Sequence, residues 1–206
     1  MKELLFLGDS ITDCGHAFDY EDLGEGYVRM IWNKFHLNSQ KTRVLNRGTD
    51  GYTVKNVKRF WNFHHAKFTP SVVTLLVGIN DIAVMKYTGV ESSEALVTFE
   101  QTYDELLSQI RETCDCPIVL MEPFIFQRPA EYIAWEEDVR KMNEIIKALA
   151  EKYNCTFLPL WDKLLEAAEE HGLNTITTDG IHLTKQGQKL IAKTWLDWYT
   201  GIYHTK

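Results

Sequence analysis

Five short apolar runs, separated by longer stretches of helical periodicity, constrain this chain more than any other feature. The runs are Glu3 to Leu7, Arg43 to Asn46, Ser71 to Val77, Pro117 to Glu122 and Cys155 to Pro159. The second, third and fourth are rich in Val and Ile and show little polar alternation, as expected of strands covered on both faces. The stretches Gly26 to Phe35, Val54 to His64, Ser92 to Glu112, Pro129 to Tyr153, Leu160 to His171 and Thr184 to Tyr199 read as helices. Leu96, Phe99, Tyr103, Leu106, Leu107 and Ile110 recur at helical spacing in the third of these. Thr184 is placed to cap the last. Repeated strand–helix units imply right-handed crossovers and a parallel sheet with helices on both sides. The expectation is one α/β domain over residues 1–206, a flavodoxin-like three-layer α/β/α sandwich on a five-stranded parallel sheet.

Composition narrows the function. A net charge of −7 argues against nucleic acid as the main partner, because phosphate binding needs a basic face. No apolar run approaches the roughly 18 residues of a membrane span. The apolar run at the N-terminus, Leu4 to Leu7, is too short for a signal peptide and reads as the first strand, so a cytoplasmic location is expected. Cys14, Cys114, Cys116 and Cys155 match no zinc spacing, and all four are expected to be reduced.

In parallel sheets of this kind ligands bind at the carboxyl ends of the strands. Ser10, Gly48, Asn80 and the segment after Glu122 all fall there. A serine hydroxyl needs a base, and the base needs a partner that fixes its tautomer. Ser10, in Gly8-Asp9-Ser10, is the candidate nucleophile, with Asp9 bracing its turn. His182 is the candidate base, and Asp179, three residues earlier, is its orienting acid. A tetrahedral intermediate needs donors aimed at its oxyanion. The candidates are the amides of Ser10 and Gly48 and the side-chain amide of Asn80. Taken singly, each block also reads as an ordinary turn. Asp9, Asp13 and His16 lack the further ligands of a metal site. His64 and His65 read as a helix end facing water. Tyr87, Phe124, Phe126, Tyr132 and Trp135 follow the third and fourth strands and read either as core or as substrate contacts.

Taken together, Gly-Asp-Ser, Asn-x-Gly, Gly-x-Asn-Asp and Asp-x-x-His, in this order from Leu7 to about Leu190, resemble the SGNH hydrolases, also called GDSL-type esterases. The resemblance implies the catalytic set Ser10, Asp179 and His182, an oxyanion hole of Ser10, Gly48 and Asn80, and no metal or cofactor. The stretches Gly8 to Gly15, Leu23 to Val28 and Met121 to Phe124 look like the bacterial carbohydrate acetylesterases that include intracellular acetylxylan esterases. Glu122 departs from that branch by replacing a small polar residue. Ile82 to Met85 departs by placing no aromatic directly after Asp81. The resemblance implies an acetylated sugar or oligosaccharide as substrate, no membrane partner, and assembly into a homo-oligomer. Thioester or lysophospholipid hydrolysis is the alternative within the family. A carbohydrate-binding protein without turnover is the alternative outside enzymology.

Overall fold

The computed structural model describes residues 2–37 and 41–203. The first strand, β1 (Lys2–Gly8), lies inside the sheet, and its Leu4, Leu5, Phe6 and Leu7 are fully buried. Each such side chain contributes about 1.5–3 kcal/mol by leaving water. Because both faces are covered, the run has no polar alternation. β1 pairs in parallel with β2 (Thr42–Gly48) on one side, Leu4 opposite Val44, and with β3 (Val72–Leu76) on the other, Leu4 opposite Val72. β4 (Ile118–Met121) and β5 (Thr156–Leu158) extend the sheet, giving the order β2-β1-β3-β4-β5. This is the expected flavodoxin-like arrangement.

The helices are α1 (Ser10–Asp13), α2 (Tyr27–Leu37), α3 (Val54–His64), α4 (Ile79–Thr88), α5 (Ser92–Thr113), α6 (Glu136–Lys152), α7 (Trp161–His171), α8 (Leu173–Ile176) and α9 (Lys185–Tyr203). On one face α2 and α9 pack together over β1. Phe6 meets Tyr27 edge-on at 5.8 Å and lies 5.3 Å from Trp195, whose indole N–H donates to Thr74 Oγ1 at 3.0 Å. On the other face α3, α5 and α6 pack in series. Thr184 caps α9 as expected, its Oγ1 accepting from the amides of Gln186 and Gly187.

Several expectations need correction. The segment after β3, assigned no element from sequence, is a helix, α4, and Asn80 sits in its first turn. The stretch from Pro129 to Tyr153 divides into a 3-10 turn, Ala130–Trp135, and α6. His64 and His65 are half-buried, because their rings pack against Phe60 and Trp61. Cys114 and Cys116 are joined in a disulfide. The turn from α5 into β4 brings their Cα atoms to 5.4 Å, within bonding range. Cys14 and Cys155 are free thiols. Glu122 replaces a small residue because it has a helix to cap: its Oε2 accepts from the amides of Leu160 and Trp161, both at 2.9 Å.

Candidate active site

The sheet order changes direction between β1 and β3, and the chain leaves both strands into the site. After β1, Asp9 ends the strand and starts α1: its Oδ1 accepts from the Ile11 amide at 3.0 Å. Gly8 is required here by close approach, since a Cβ would run into the Leu76 carbonyl and the Thr12 hydroxyl. Ser10 is therefore the first residue of a short helix, half-buried at the mouth of the sheet.

His182 reaches Ser10 from a tight turn between α8 and α9. Residues 177–183 are closed by an antiparallel bridge between Thr177 and Leu183. The amide of Thr178 and the hydroxyl of Thr177 donate to the His182 carbonyl at 2.9 and 2.7 Å. Inside the turn Asp179 Oδ1 accepts from the amides of Ile181 and His182, at 2.9 and 2.7 Å. Its Oδ2 lies 2.6 Å from His182 Nδ1, and His182 Nε2 lies 2.9 Å from Ser10 Oγ. A carboxylate only accepts, so Nδ1 carries the proton and Nε2 is left to accept from the serine hydroxyl. Partial burial pushes the Asp179 carboxyl up, but the hydrogen bonds from His182 and from the two amides outweigh it and hold the group below its usual value. Asp179 is thus charged at neutral pH.

Asp9 is buried behind Ser10, and Asp81 is half-buried in the first turn of α4, accepting from the Val54 amide. Burial raises both carboxyls to about 7, against the lowering effect of hydrogen bonds from Ile11 and Val54 respectively. Among the described residues no group of three or more His, Cys, Asp or Glu could hold a metal. Asp13 and His16 instead pair with each other at 2.8 Å.

The oxyanion donors need revision. Gly48 ends β2 in the buried sheet, and its amide donates to Asn46 Oδ1 at 3.0 Å. The expected donor is therefore already bonded. The loop that follows is pinned almost residue by residue. Thr49 N–H donates to the Gly8 carbonyl, Asp50 N–H to Asp13 Oδ2, and Tyr52 N–H to the Thr49 carbonyl. Thr53 N–H donates to Asn56 Oδ1 and Val54 N–H to Asp81. The Gly51 amide has no acceptor among the described residues, and its φ of +73° favours glycine. Only the first glycine of the Asn46 to Gly51 block is expected from sequence as a donor; the Asn46 side chain takes that amide, and Gly51, three residues on, is the one left open. Asn80 gives one N–H to the Tyr52 carbonyl at 3.0 Å and retains a second. The Ser10 amide also lacks an acceptor among the described residues.

Of the aromatics named from sequence, Phe124, Phe126 and Trp135 are core. Tyr132 is half-buried and Tyr87 exposed.

A doubly wound parallel sheet with serine, imidazole and carboxylate in line at its carboxyl edge is the arrangement of a serine hydrolase. The GDSL-like Lipase/Acylhydrolase family profile matches residues 6–190, and the chain belongs to that family, which makes it a carboxylic ester hydrolase. It is 28% identical over 204 residues to an acetylxylan esterase of Geobacillus stearothermophilus, covering 95% of this chain and 92% of that protein. Among solved structures, a protein from Parabacteroides merdae described as a GDSL-like lipase superposes with a TM-score of 0.86 at 26% identity, covering 95% and 94% of the two chains. A catalytic mutant of Axe2, an acetylxylan esterase from Geobacillus stearothermophilus, superposes with a TM-score of 0.83 at 26% identity, covering 95% and 93%. Among the described residues no helix is long and apolar enough to cross a membrane.

Proposed function

We propose that this chain, as one domain over residues 1–206, removes acetyl groups from acetylated carbohydrate by covalent catalysis through Ser10. The observation that carries the proposal is the line from Ser10 Oγ through His182 to Asp179, at 2.9 and 2.6 Å. The acetylxylan esterase relative supports acetylated carbohydrate as the substrate. Solved catalytic mutants of Axe2 alter a serine, an aspartate and a histidine, the same residue types as this relay.

Ser10 Oγ attacks the ester carbonyl as His182 Nε2 takes its proton. Asp179 holds the imidazole and stabilises the imidazolium. The oxyanion is met by the amides of Ser10 and Gly51 and by the second N–H of Asn80. His182 then gives that proton to the sugar oxygen as its bond to the acetyl carbon breaks, so that the sugar leaves as a free hydroxyl. Water, deprotonated by the same nitrogen, attacks the acetyl-enzyme and releases acetate. No step calls for a cofactor. We take the enzyme to act in the cytoplasm, on imported oligosaccharides or small acetylated glycosides.

A second reading, longer acyl esters, draws on a mainly apolar groove of about 250 Å³ that reaches Asp81, the neighbour of Asn80, and whose lining includes Val54, Val84, Met85 and Phe99 but none of the relay residues. Acetate release from acetylated xylo-oligosaccharides and peracetylated monosaccharides tests the first reading, with Ser10→Ala run beside the wild type. Release that vanishes in the variant is expected. If sugars yield no acetate while octanoyl nitrophenyl ester is cleaved faster than acetyl, the second reading replaces the first.

A further inference from the structure

Next to the oxyanion region the surface carries large apolar side chains that the chemistry at Ser10 does not use. Tyr87 is 72% exposed and Val84 is 53% exposed. Both lie on α4, the helix whose first turn holds Asn80. Val84 and Tyr87 follow Asn80 by four and seven positions, so all three fall on one helix face. Tyr87 thus lies about 10 Å from Asn80 along the helix axis.

Ring contacts continue this strip back to the acid of the relay. Tyr87 meets Trp135 edge-on at 5.5 Å, and Trp135 lies 4.6 Å from Tyr132. The Tyr132 ring lies against Gly180, where an added Cβ would sit 3.1 Å from it, and Gly180 adjoins Asp179. The strip therefore leaves the site at Asn80 and returns to it at Asp179.

The strip is also braced. Lys86 Nζ donates to the Ala134 carbonyl at 3.0 Å and pairs with Asp138 at 2.5 Å, fastening α4 to the turn that carries Tyr132 and Trp135. Trp135 is buried beneath it. Tyr87 and Val84 are held out in water by a fixed base at the mouth of the site. Held in this way, the exposed Tyr87 ring offers a fixed apolar face that a ligand bound beside Asn80 can cover.

We propose that Tyr87, with Val84 and Tyr132, forms a ridge that binds the sugar rings flanking the acetylated unit, so that oligosaccharides are preferred to acetylated monosaccharides. This rests on the carbohydrate reading above. A sugar ring offers one face of C–H groups and a rim of hydroxyls. A tyrosine ring packs on the face while the rim and the phenol stay wet. An acyl chain has no polar rim and is better served by an enclosed groove.

The test compares kcat/KM for acetylated xylo-oligosaccharides with kcat/KM for peracetylated monosaccharide in wild type, Tyr87→Ala and Tyr87→Phe. Nitrophenyl acetate and nitrophenyl octanoate are measured alongside. Tyr87→Ala is expected to lower the oligosaccharide-to-monosaccharide ratio about tenfold, through KM, while Tyr87→Phe keeps it within about twofold. An unchanged ratio in Tyr87→Ala overturns the ridge, as does an equal loss on every substrate, which would mean that the ring only supports α4. A loss confined to the octanoyl ester overturns the sugar assignment. Wild-type enzyme that cleaves nitrophenyl acetate but neither carbohydrate overturns the carbohydrate reading itself, and the ridge with it.

Discussion

Replacing Asn46 by alanine removes four hydrogen bonds from a place closed to water. Asn46 is fully buried in β2. Its Nδ2 donates to the carbonyls of Thr12 at 2.7 Å, Leu23 at 2.8 Å and Asp13 at 3.2 Å, and its Oδ1 accepts from the Gly48 amide at 3.0 Å. Two hydrogens serve three carbonyls, so the Asp13 contact is the weakest. That leaves three buried groups to lose a good partner, each costing about 1–3 kcal/mol. Water entering the vacated space would satisfy part of this, so the expected loss is about 3–5 kcal/mol. Such a loss is a large share of the roughly 5–15 kcal/mol that holds a domain together, and it corresponds to a fall in Tm of about 10 °C. Asn46→Asp should fare worse than alanine, because it turns an oxygen toward three carbonyls. The assay is urea unfolding followed by circular dichroism and tryptophan fluorescence, with the slope checked for constancy. Turnover of the folded fraction should also fall, since Asn46 ties the end of α1, behind Ser10, to the strand leading to Gly51. A loss below about 1 kcal/mol for alanine, or tolerance of aspartate, would refute this account of Asn46.

Two other substitutions probe separate parts of the site. Asn80→Ala should lower kcat by about 10²–10³, because it removes a donor that is needed when charge develops on the oxyanion; wild-type kcat in that variant would end the role of Asn80. Asp9→Asn tests the buried carboxyl. Folded Asp9 keeps its proton to about pH 7, whereas the unfolded chain releases it near 3.8. Its contribution to stability is full at low pH and is lost as pH rises through that window. Asparagine caps as well as aspartate and does not ionise. The variant should therefore gain on the wild type by up to about 4 kcal/mol between pH 4 and pH 7 in urea unfolding. A difference independent of pH would show that Asp9 does not hold a proton in the folded state.

The local sequence determined much of this protein. Buried parallel strands have a signature in neighbouring residues, and the runs Ser71 to Val77 and Pro117 to Glu122 carry it because both their faces are covered. Asp179 and His182 are three residues apart, so their pairing needs little beyond a turn. Placing Ser10 beside them, 172 positions away, follows from the strand–helix alternation that brings loop ends to one edge of the sheet.

What the sequence left undecided depended on partners distant in the chain. Gly48 and Gly51 look alike as residues, and only the folded strand end shows that the Asn46 side chain takes the first amide while the second has no acceptor among the described residues. Glu122 reads as a departure until α7 arrives with amides to cap. Tyr87 and Phe124 are both aromatics after a strand, yet one stands in water and the other is buried. Their difference is set by which faces α4 and the segment after β4 turn toward the sheet. Periodicity records burial along one element, whereas a free amide or an exposed ring is decided by what the rest of the chain packs against it.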